Sequence, residues 1–177
     1  MVSLTVVFAT FVILFAVIGA MRGWAKELLV TSAVILGLFL NAILENYIEP
    51  YRTTLLIQPG GTQFLMRALL VLLLAIFGYQ TPRLRALEGK VARERLQDML
   101  LGLVLGALNG YLLLGSLWFY LHQAGYPTDL ILRPEPGSEL GNQIAGLMPF
   151  LPPGLLPIPH VYFAVGIVFV FIIVVFV

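Results

Sequence analysis

Five long apolar stretches, separated by short segments that hold nearly all of the charged residues, constrain this chain more than any other feature. They fall at about residues 2–21, 28–47, 63–81, 98–121 and 160–177. A bilayer has a hydrocarbon core about 30 Å thick, which a helix crosses in roughly 20 apolar residues. Lipid offers no partner to an unpaired backbone group, so such segments cross as helices. The sequence therefore predicts an all-α membrane protein, a bundle of about five transmembrane helices.

The composition indicates the same class. Apolar residues make up 60% of the 177 residues and charged residues only 11%, a balance that excludes a soluble core of this size. The net charge of +1 points to no charged partner, and we expect none that is a nucleic acid. The chain has no cysteine, which excludes disulfides, cysteine-ligated metals and thiol catalysis.

The basic residues of the connections predict the orientation. Short cytoplasmic loops carry an excess of lysine and arginine. Of the ten basic residues, seven fall on one side of the predicted spans: Arg22, Lys26, Arg83, Arg85, Lys90, Arg93 and Arg95. We therefore expect an external N-terminus and, with five spans, a cytoplasmic C-terminus. Arg67 lies near enough to the end of its span for the side chain to reach the interface. The first stretch lacks a basic region before it, so we expect a retained helix rather than a signal peptide.

Proline and glycine divide the chain into three parts. Residues 1–122 hold the first four predicted spans, 123–159 form a proline-rich external segment, and 160–177 form the fifth span. The connection from His122 to Pro159 has 38 residues and eight of the eleven prolines, which is too long for a simple turn. Glu45 to Gly61, between the second and third spans, has the prolines and glycines of a short external loop.

Two amphipathic helices are predicted outside the spans. Apolar residues recur at helical spacing from about Ser138, a good N-cap, to Met148, and Pro149 would end that helix. The prolines that follow, over 152–159, favour a stiff extended lead into the fifth span. Residues 83–97 alternate leucine and valine with basic residues, which predicts a second short helix on the membrane surface.

The fourth span carries the strongest packing pattern. Gly102, Gly106 and Gly110 repeat every four residues on one helix face. Glycine at this spacing lets two helix backbones approach closely, which drives helix association in lipid. Gly19 and Gly23 form a second, weaker repeat at the end of the first span and are the first partner to expect. The pattern leaves open whether the contact forms within the chain, between two copies or with another subunit.

Charged residues at one membrane face form the candidate site. Arg22 and Glu27 lie in the tight turn between the first two spans, and Asp98 begins the fourth span at the same face. A carboxylate there suits the positive N-terminal end of a helix dipole. We expect Arg22 to pair with Asp98 or with Glu27, which would clamp the first helical hairpin to the fourth span. A ligand or proton site at these residues is the alternative.

Two segments carry a family resemblance. Gly19–Leu28 resembles the G-x-x-R-G-x-x-x-E-L turn of the colicin V production protein family, and Asp98–Gly110 is similar to its D-R-x-x-G-x-x-x-G-x-x-x-G segment. Order and spacing agree over about residues 5–122, although Met99 stands where the family usually has a basic residue. The resemblance implies a small, multi-pass inner-membrane protein of bacteria, linked to colicin V export and envelope phenotypes, with no defined biochemical activity.

Patterns that indicate catalysis are missing from the sequence. His122 and His160 are the only histidines, and neither has the spacing of a metal site. A phosphate-binding loop, a dinucleotide fingerprint and a placeable nucleophile triad are also missing. His122, at the end of the fourth span, is left open as an axial ligand to a haem or chlorin. We therefore expect no enzyme activity, no cofactor and no metal.

Three functions remain compatible with the sequence. The first is a non-enzymatic envelope or export-related protein that acts through helix packing and through contacts with other membrane subunits or with itself, in addition to the lipid bilayer. The second is an accessory or assembly subunit of a larger respiratory or photosynthetic complex, because the fifth span is almost entirely valine, isoleucine and phenylalanine. A transport pore comes third, since coupled transporters need ionisable groups near the midplane, and the spans offer few polar residues there.

Overall fold

The chain folds as a bundle of helices. A computed structural model describes residues 4–80, 95–127, 133–135 and 137–176, and no strand occurs among them. In chain order the helices are α1 (Leu4–Arg22), α2 (Trp24–Tyr47), α3 (Glu49–Leu56), α4 (Gly60–Tyr79), α5 (Arg95–Gln123), α6 (Glu139–Leu147), α7 (Pro152–Leu155) and α8 (His160–Phe176). A 3₁₀ turn, Met148–Phe150, joins α6 to α7. The predicted all-α membrane bundle is confirmed.

Four of these helices have the length and composition of membrane spans. They are α1, α2, α4 and α5, of which α5 is the longest at 29 residues. Helix α8 is equally apolar but has 17 residues, or about 25 Å at the rise of an α-helix. This length is less than the hydrocarbon thickness of about 30 Å. The described chain thus has four full-length spans and one shorter apolar helix in the place of the predicted fifth.

Helix α2 lies at the centre of the bundle, where it packs against α4, α5 and α8. Its apolar residues recur on several faces because neighbours cover it on several sides. The buried core is built from residues of α2, α4, α5 and α8. Among them are Val30, Val34, Leu38, Val71, Leu112 and Val161. Helix α1 packs mainly against α5, so most of its surface faces outward.

The up-and-down order of the spans gives the bundle two ends. Helix α1 ends, and α2 and α5 begin, at what we call the Arg22 end, where the backbone of Trp24 contacts Asp98. Helix α2 ends and α4 begins at the opposite end, which we call the Arg67 end. The segment that contains α6 and α7 packs against the second half of α5, where Pro152 lies against Gly115.

The proline-rich segment contains the predicted amphipathic helix. Helix α6 begins after Ser138, whose hydroxyl oxygen accepts a hydrogen bond from the backbone N–H of Gly141 at 3.0 Å. The helix ends at Leu147, and Pro149 lies in the 3₁₀ turn that follows. The predicted helix, its N-cap and its stop are therefore confirmed.

Two predicted irregular segments are helical instead. The loop expected from Glu45 to Gly61 contains α3, with Pro50 in its first turn. The extended lead expected from Pro152 begins with α7, again with prolines in the first turn. Both predictions were wrong for the same reason, since the fixed φ of proline suits the first turn of a helix, where the missing N–H has no acceptor. The predicted surface helix over 83–97 lies outside the described residues up to 94, and 95–97 begin α5.

Candidate functional site

Glu27 is the centre of a polar network at the Arg22 end. The side chain is fully buried, although it lies in the first turn of α2. The Arg22 guanidinium donates a hydrogen bond to its Oε1 at 2.5 Å, and the Asn109 amide donates to its Oε2 at 2.8 Å. A charge is stable in an apolar interior only when it is paired and hydrogen-bonded. Here α1 supplies the counter-charge and α5 supplies the second donor.

Asn109 fixes α5 against α2. Its Nδ2 also donates to the backbone carbonyl of Glu27 at 2.9 Å, and its Oδ1 accepts from the Thr31 hydroxyl at 2.7 Å. Asn109 is fully buried, so an amide without these partners would carry a desolvation penalty. We call Arg22, Glu27, Thr31 and Asn109 the Arg22 network. Asn109 directly precedes Gly110 in the sequence, but no sequence pattern shows which helix it contacts.

Arg22 also reaches the end of α4. Its guanidinium carbon lies 4.4 Å from the ring centroid of Tyr79, which is the geometry of a cation–π contact. One guanidinium nitrogen lies 3.4 Å from the backbone carbonyl of the same residue. Through these contacts the network joins all four full-length spans. No sequence pattern pointed to Tyr79, because its contact with Arg22 depends on how α4 returns to this end of the bundle.

Asp98 also contacts the first turn of α2, where its side chain binds a backbone N–H group. Its Oδ1 accepts a hydrogen bond from the N–H of Trp24 at 3.1 Å. Trp24 is the first residue of α2, and the first N–H groups of a helix have no acceptor within it. Asp98 therefore caps α2 from α5. Of the two partners expected for Arg22, the structure pairs it with Glu27, while Asp98 forms the link between the hairpin and α5.

Gly23 makes the tight turn between α1 and α2. Its φ is 87°, in the left-handed region that residues with a side chain rarely adopt. A Cβ at this position would lie 2.7 Å from a carboxylate oxygen of Asp98. The carbonyl carbon of Gly23 also faces Gly102, where an added Cβ would lie 3.2 Å from it. This glycine thus serves both the turn and the close approach of α5.

Glycines bring α1 and α5 into backbone contact. A Cβ added to Gly19 would overlap the carbonyl oxygen of Gly102 and lie 2.7 Å from the Cα of Gly106. At Gly110, the next glycine along α5, an added Cβ would lie 2.8 Å from the Cβ of Phe15. We call this surface, formed by Gly19, Gly102, Gly106 and Gly110, the glycine contact. The face of α5 that the sequence singled out is covered by α1 of the same chain.

A second polar network lies at the Arg67 end. Arg67 donates from Nε and Nη2 to the two carboxylate oxygens of Glu45, at 2.8 and 2.9 Å. This two-bond arrangement is among the stronger ion pairs. The Arg67 side chain is only 8% exposed. It turns inward because Glu45 offers a partner on the neighbouring helix at the same depth.

Asn41 joins this ion pair to α5. Its Nδ2 donates to the Arg67 backbone carbonyl at 3.0 Å and to the Tyr120 hydroxyl oxygen at 3.3 Å. We call Asn41, Glu45, Arg67 and Tyr120 the Arg67 network. Tyr51, on α3, lies near it: burial, and secondarily the charge of Glu45, raise the pKa of its hydroxyl. The sequence signal for this pair was Glu45 in the second predicted span and Arg67 in the third, because charged residues inside apolar spans usually pair with one another.

His122 lies at the same end, on the last turn of α5. Its Nδ1 is 3.1 Å from the hydroxyl of Tyr126, and the Trp118 indole N–H donates to that hydroxyl at 3.3 Å. Burial raises the pKa of Tyr126, while the bond from Trp118 acts in the opposite direction. These contacts close the turn that follows α5. His160, the first residue of α8, is exposed.

Comparison with known proteins places the chain in a family. A sequence profile of the colicin V production protein matches residues 4–130. The chain belongs to the colicin V production protein family. Its resemblance at Gly19–Leu28 and Asp98–Gly110 is thereby confirmed. No curated protein and no solved structure matches the chain.

The colicin V production match covers both networks. It runs from α1 to a point just after α5 and includes the glycine contact. Helices α6, α7 and α8 lie beyond it. Residues that hold the four spans together thus fall within the region shared with the colicin V production family, whereas the helices beyond α5 do not.

Proposed function

We propose that this colicin V production family member is a non-enzymatic, export-related protein of the bacterial inner membrane that acts through contacts with other membrane proteins. The observation that carries the proposal is which groups bind the carboxylates of Glu27 and Glu45. Both carboxylate oxygens of Glu27 are bonded to side chains of neighbouring helices, and both oxygens of Glu45 are bonded to Arg67. A catalytic carboxylate needs access to a substrate, which the fully buried Glu27 lacks, and both carboxylates hold helices together.

The outer face of α8 supplies a surface for such contacts. Val161 is fully buried against the core, and the Tyr162 hydroxyl donates to the Tyr47 hydroxyl at 2.8 Å. Large apolar side chains further along α8 remain exposed, namely Phe163, Ile167, Phe169, Val170, Ile173 and Val174. Apolar helices associate in lipid by van der Waals packing, so this face suits the transmembrane helices of a partner.

The charge distribution supports one orientation of the bundle. The Arg22 end holds Arg22, Lys26 and Arg95, and four further basic residues lie between 83 and 93. Under the rule that basic residues collect on the cytoplasmic side, the Arg22 end is cytoplasmic. The N-terminus is then external, and α6 and α7 lie on the external side. Partners that contact α8 would be transmembrane proteins of the same membrane.

Native nanodisc extraction tests this proposal. The tagged chain is expressed at its natural level, extracted with its surrounding lipid, sized and analysed by mass spectrometry. We expect defined membrane subunits in fixed ratio to the chain. Ile167→Ala combined with Val174→Ala should weaken their retention, because these residues lie on the exposed face of α8.

A control variant and the results that would contradict the proposal complete the test. Ala9→Leu alters an exposed position on α1 and should leave retention unchanged if α8 is the contact. A chain that travels alone, with normal cell-envelope behaviour, would contradict the proposal. Haem- or pigment-bearing subunits in fixed ratio would instead identify an accessory subunit of an energy-transducing complex.

A further inference from the structure

The segment between α5 and α8 has the composition of a part of the chain that lies within the membrane. Residues 140–159 contain no charged side chain, and residues 144–159 contain no polar one. Leu147, Phe150 and Leu155 are nevertheless exposed. Clustered apolar side chains on a surface mark contacts with a membrane or with another protein. The proposed orientation places α6 and α7 on the external side of the bundle but leaves open how deep they lie.

Contacts with α5 show the depth that this segment reaches. Pro152 lies against Gly115, where an added Cβ would be 2.7 Å from the proline ring. Gly115 is eight residues before the end of α5 at Gln123, or about 12 Å along the helix. The Tyr111 hydroxyl donates a hydrogen bond to the backbone carbonyl of Phe150, and Tyr111 is about 18 Å from the same end. Half of the hydrocarbon core is about 15 Å thick, so the segment extends to a comparable depth.

Helix α1 gives an independent measure of this depth. A Cβ added to Gly110, the neighbour of Tyr111, would lie 3.0 Å from the Cα of Val12. Val12 is the ninth of the 19 residues of α1, which is a full-length span. Tyr111 therefore lies near the middle of the bundle, and its hydroxyl binds the segment from there.

Both arms of the segment begin and end near the Arg67 end. Ile144, on α6, belongs to one buried cluster with Leu121 and other residues of the last turns of α5. Ile158, beyond α7, lines a cavity at the Arg67 end together with Glu45 and Gln123. The part between these two positions holds the 3₁₀ turn and α7, and it contains the deepest contacts.

The backbone at the bend is suited to lipid, which offers no partner to an unpaired polar group. The Leu151 N–H donates to the Met148 carbonyl at 3.2 Å, and the Leu155 N–H donates to the Leu151 carbonyl at 2.9 Å. The Phe150 carbonyl accepts from Tyr111. Proline has no N–H that would need an acceptor, and three residues of the bend are prolines: Pro149, Pro152 and Pro153.

We infer that residues 139–158 form a re-entrant hairpin that enters the membrane at the Arg67 end, turns near mid-depth and returns. Helix α6 is the descending arm, and α7 begins the ascending arm. The exposed side chains of Leu147, Phe150 and Leu155 then contact the acyl chains of the leaflet at the Arg67 end. Acyl chains are the partner because they surround α5 at the depth of Gly115, and the hairpin presents no charge to them.

Site-directed spin labelling of the full chain in phosphatidylcholine vesicles tests this inference. The chain has no cysteine, so a nitroxide attached to Phe150→Cys in detergent, before reconstitution, is the only label. Phe150 is 66% exposed, so its side chain can be replaced with little loss of packing. Power saturation measures collisions with oxygen, which concentrates in hydrocarbon, and with a nickel chelate, which stays in water. We expect frequent collisions with oxygen and a loss of collisions with nickel.

Glu139→Cys is the matched control on the same segment. Glu139 is also exposed, but it begins α6 and carries a charge, so a label there should collide frequently with nickel. Leu155→Cys is a second probe of the bend and should behave like Phe150→Cys. Size-exclusion chromatography and circular dichroism verify that each variant is folded.

Two results would overturn the inference. Frequent collisions with nickel at both 150 and 155 would place the segment in water. Infrequent collisions with both reagents would show that a protein surface, such as a second copy of the chain, covers these side chains instead of lipid.

Discussion

Gly106→Ala is a direct test of the backbone contact between α1 and α5. An added Cβ would overlap the carbonyl oxygen of Phe15 and lie 2.8 Å from the Cα of Gly19. Both atoms belong to the backbone of α1, so no side-chain rotation relieves the overlap. Carbon atoms in ordinary contact are about 3.5–4.0 Å apart, so α1 would have to move away from α5 by roughly 0.7 Å or more.

The cost of this displacement is that of overpacking a core, about 1–3 kcal/mol. Alanine also favours a helix over glycine by about 1 kcal/mol, so the change in unfolding free energy of this variant alone mixes two effects. Gly166, in α8, provides the control because nothing lies within 4 Å of a Cβ added there. Gly106→Ala should therefore be less stable than Gly166→Ala by about 1–3 kcal/mol.

The difference can be measured by unfolding both variants with sodium dodecyl sulfate in mixed micelles. Tryptophan fluorescence reports on the transition, since Trp118 is buried in the bundle and Trp24 begins α2. Gly106→Ala should unfold at a lower detergent fraction than the wild type, and Gly166→Ala at the same or a higher fraction. Equal midpoints for the two variants would show that Gly106 does not contact the backbone of α1.

Three further predictions concern the polar side chains. Glu27→Ala removes the carboxylate that accepts from Arg22 and Asn109 and should cost about 3–5 kcal/mol; in the same unfolding assay Glu27→Gln, which keeps one acceptor, should cost less. Exchanging the charges of Glu45 and Arg67 in a double variant should recover part of the stability that either single reversal loses, and additive losses in the cycle would contradict the ion pair. Ser138→Ala removes an N-cap and should destabilise α6 locally by about 1 kcal/mol, seen as faster amide exchange, whereas Ser138→Asp should not.

The sequence was sufficient for the long helices and for α6, and insufficient for α3 and α7. Apolar length alone decides α1, α2, α4 and α5, because lipid leaves the backbone no other way to satisfy its polar groups. The sequence did not predict α3 and α7, because clusters of proline and glycine usually indicate irregular structure. Pro50 and Pro152 occupy the first turns of these helices. A proline is compatible both with the start of a helix and with irregular structure.

The candidate site was predictable where its residues are close in the chain, and where a repeat of glycines or the start of a span marked them. Arg22 and Glu27 share one turn, so their spacing limits where each can reach. Asn109, by contrast, contacts α2 because the glycine contact with α1 sets the position of α5. The pair of Glu45 and Arg67 likewise depends on the depth at which α2 and α4 pack together. The sequence of neither helix specifies that depth by itself.

The separation of the two polar networks bears on what the bundle can do. Thr31 and Asn41 are ten residues apart on α2, or about 15 Å along a helix. Residues 33–40 between them are all apolar or glycine, and Val34 and Leu38 are buried in the core. A proton or ion path would need ionisable or hydrated groups across this gap. Each network instead joins several spans at its own end, which favours a scaffold that keeps its helices in fixed register and leaves their outer faces free for neighbours in the membrane.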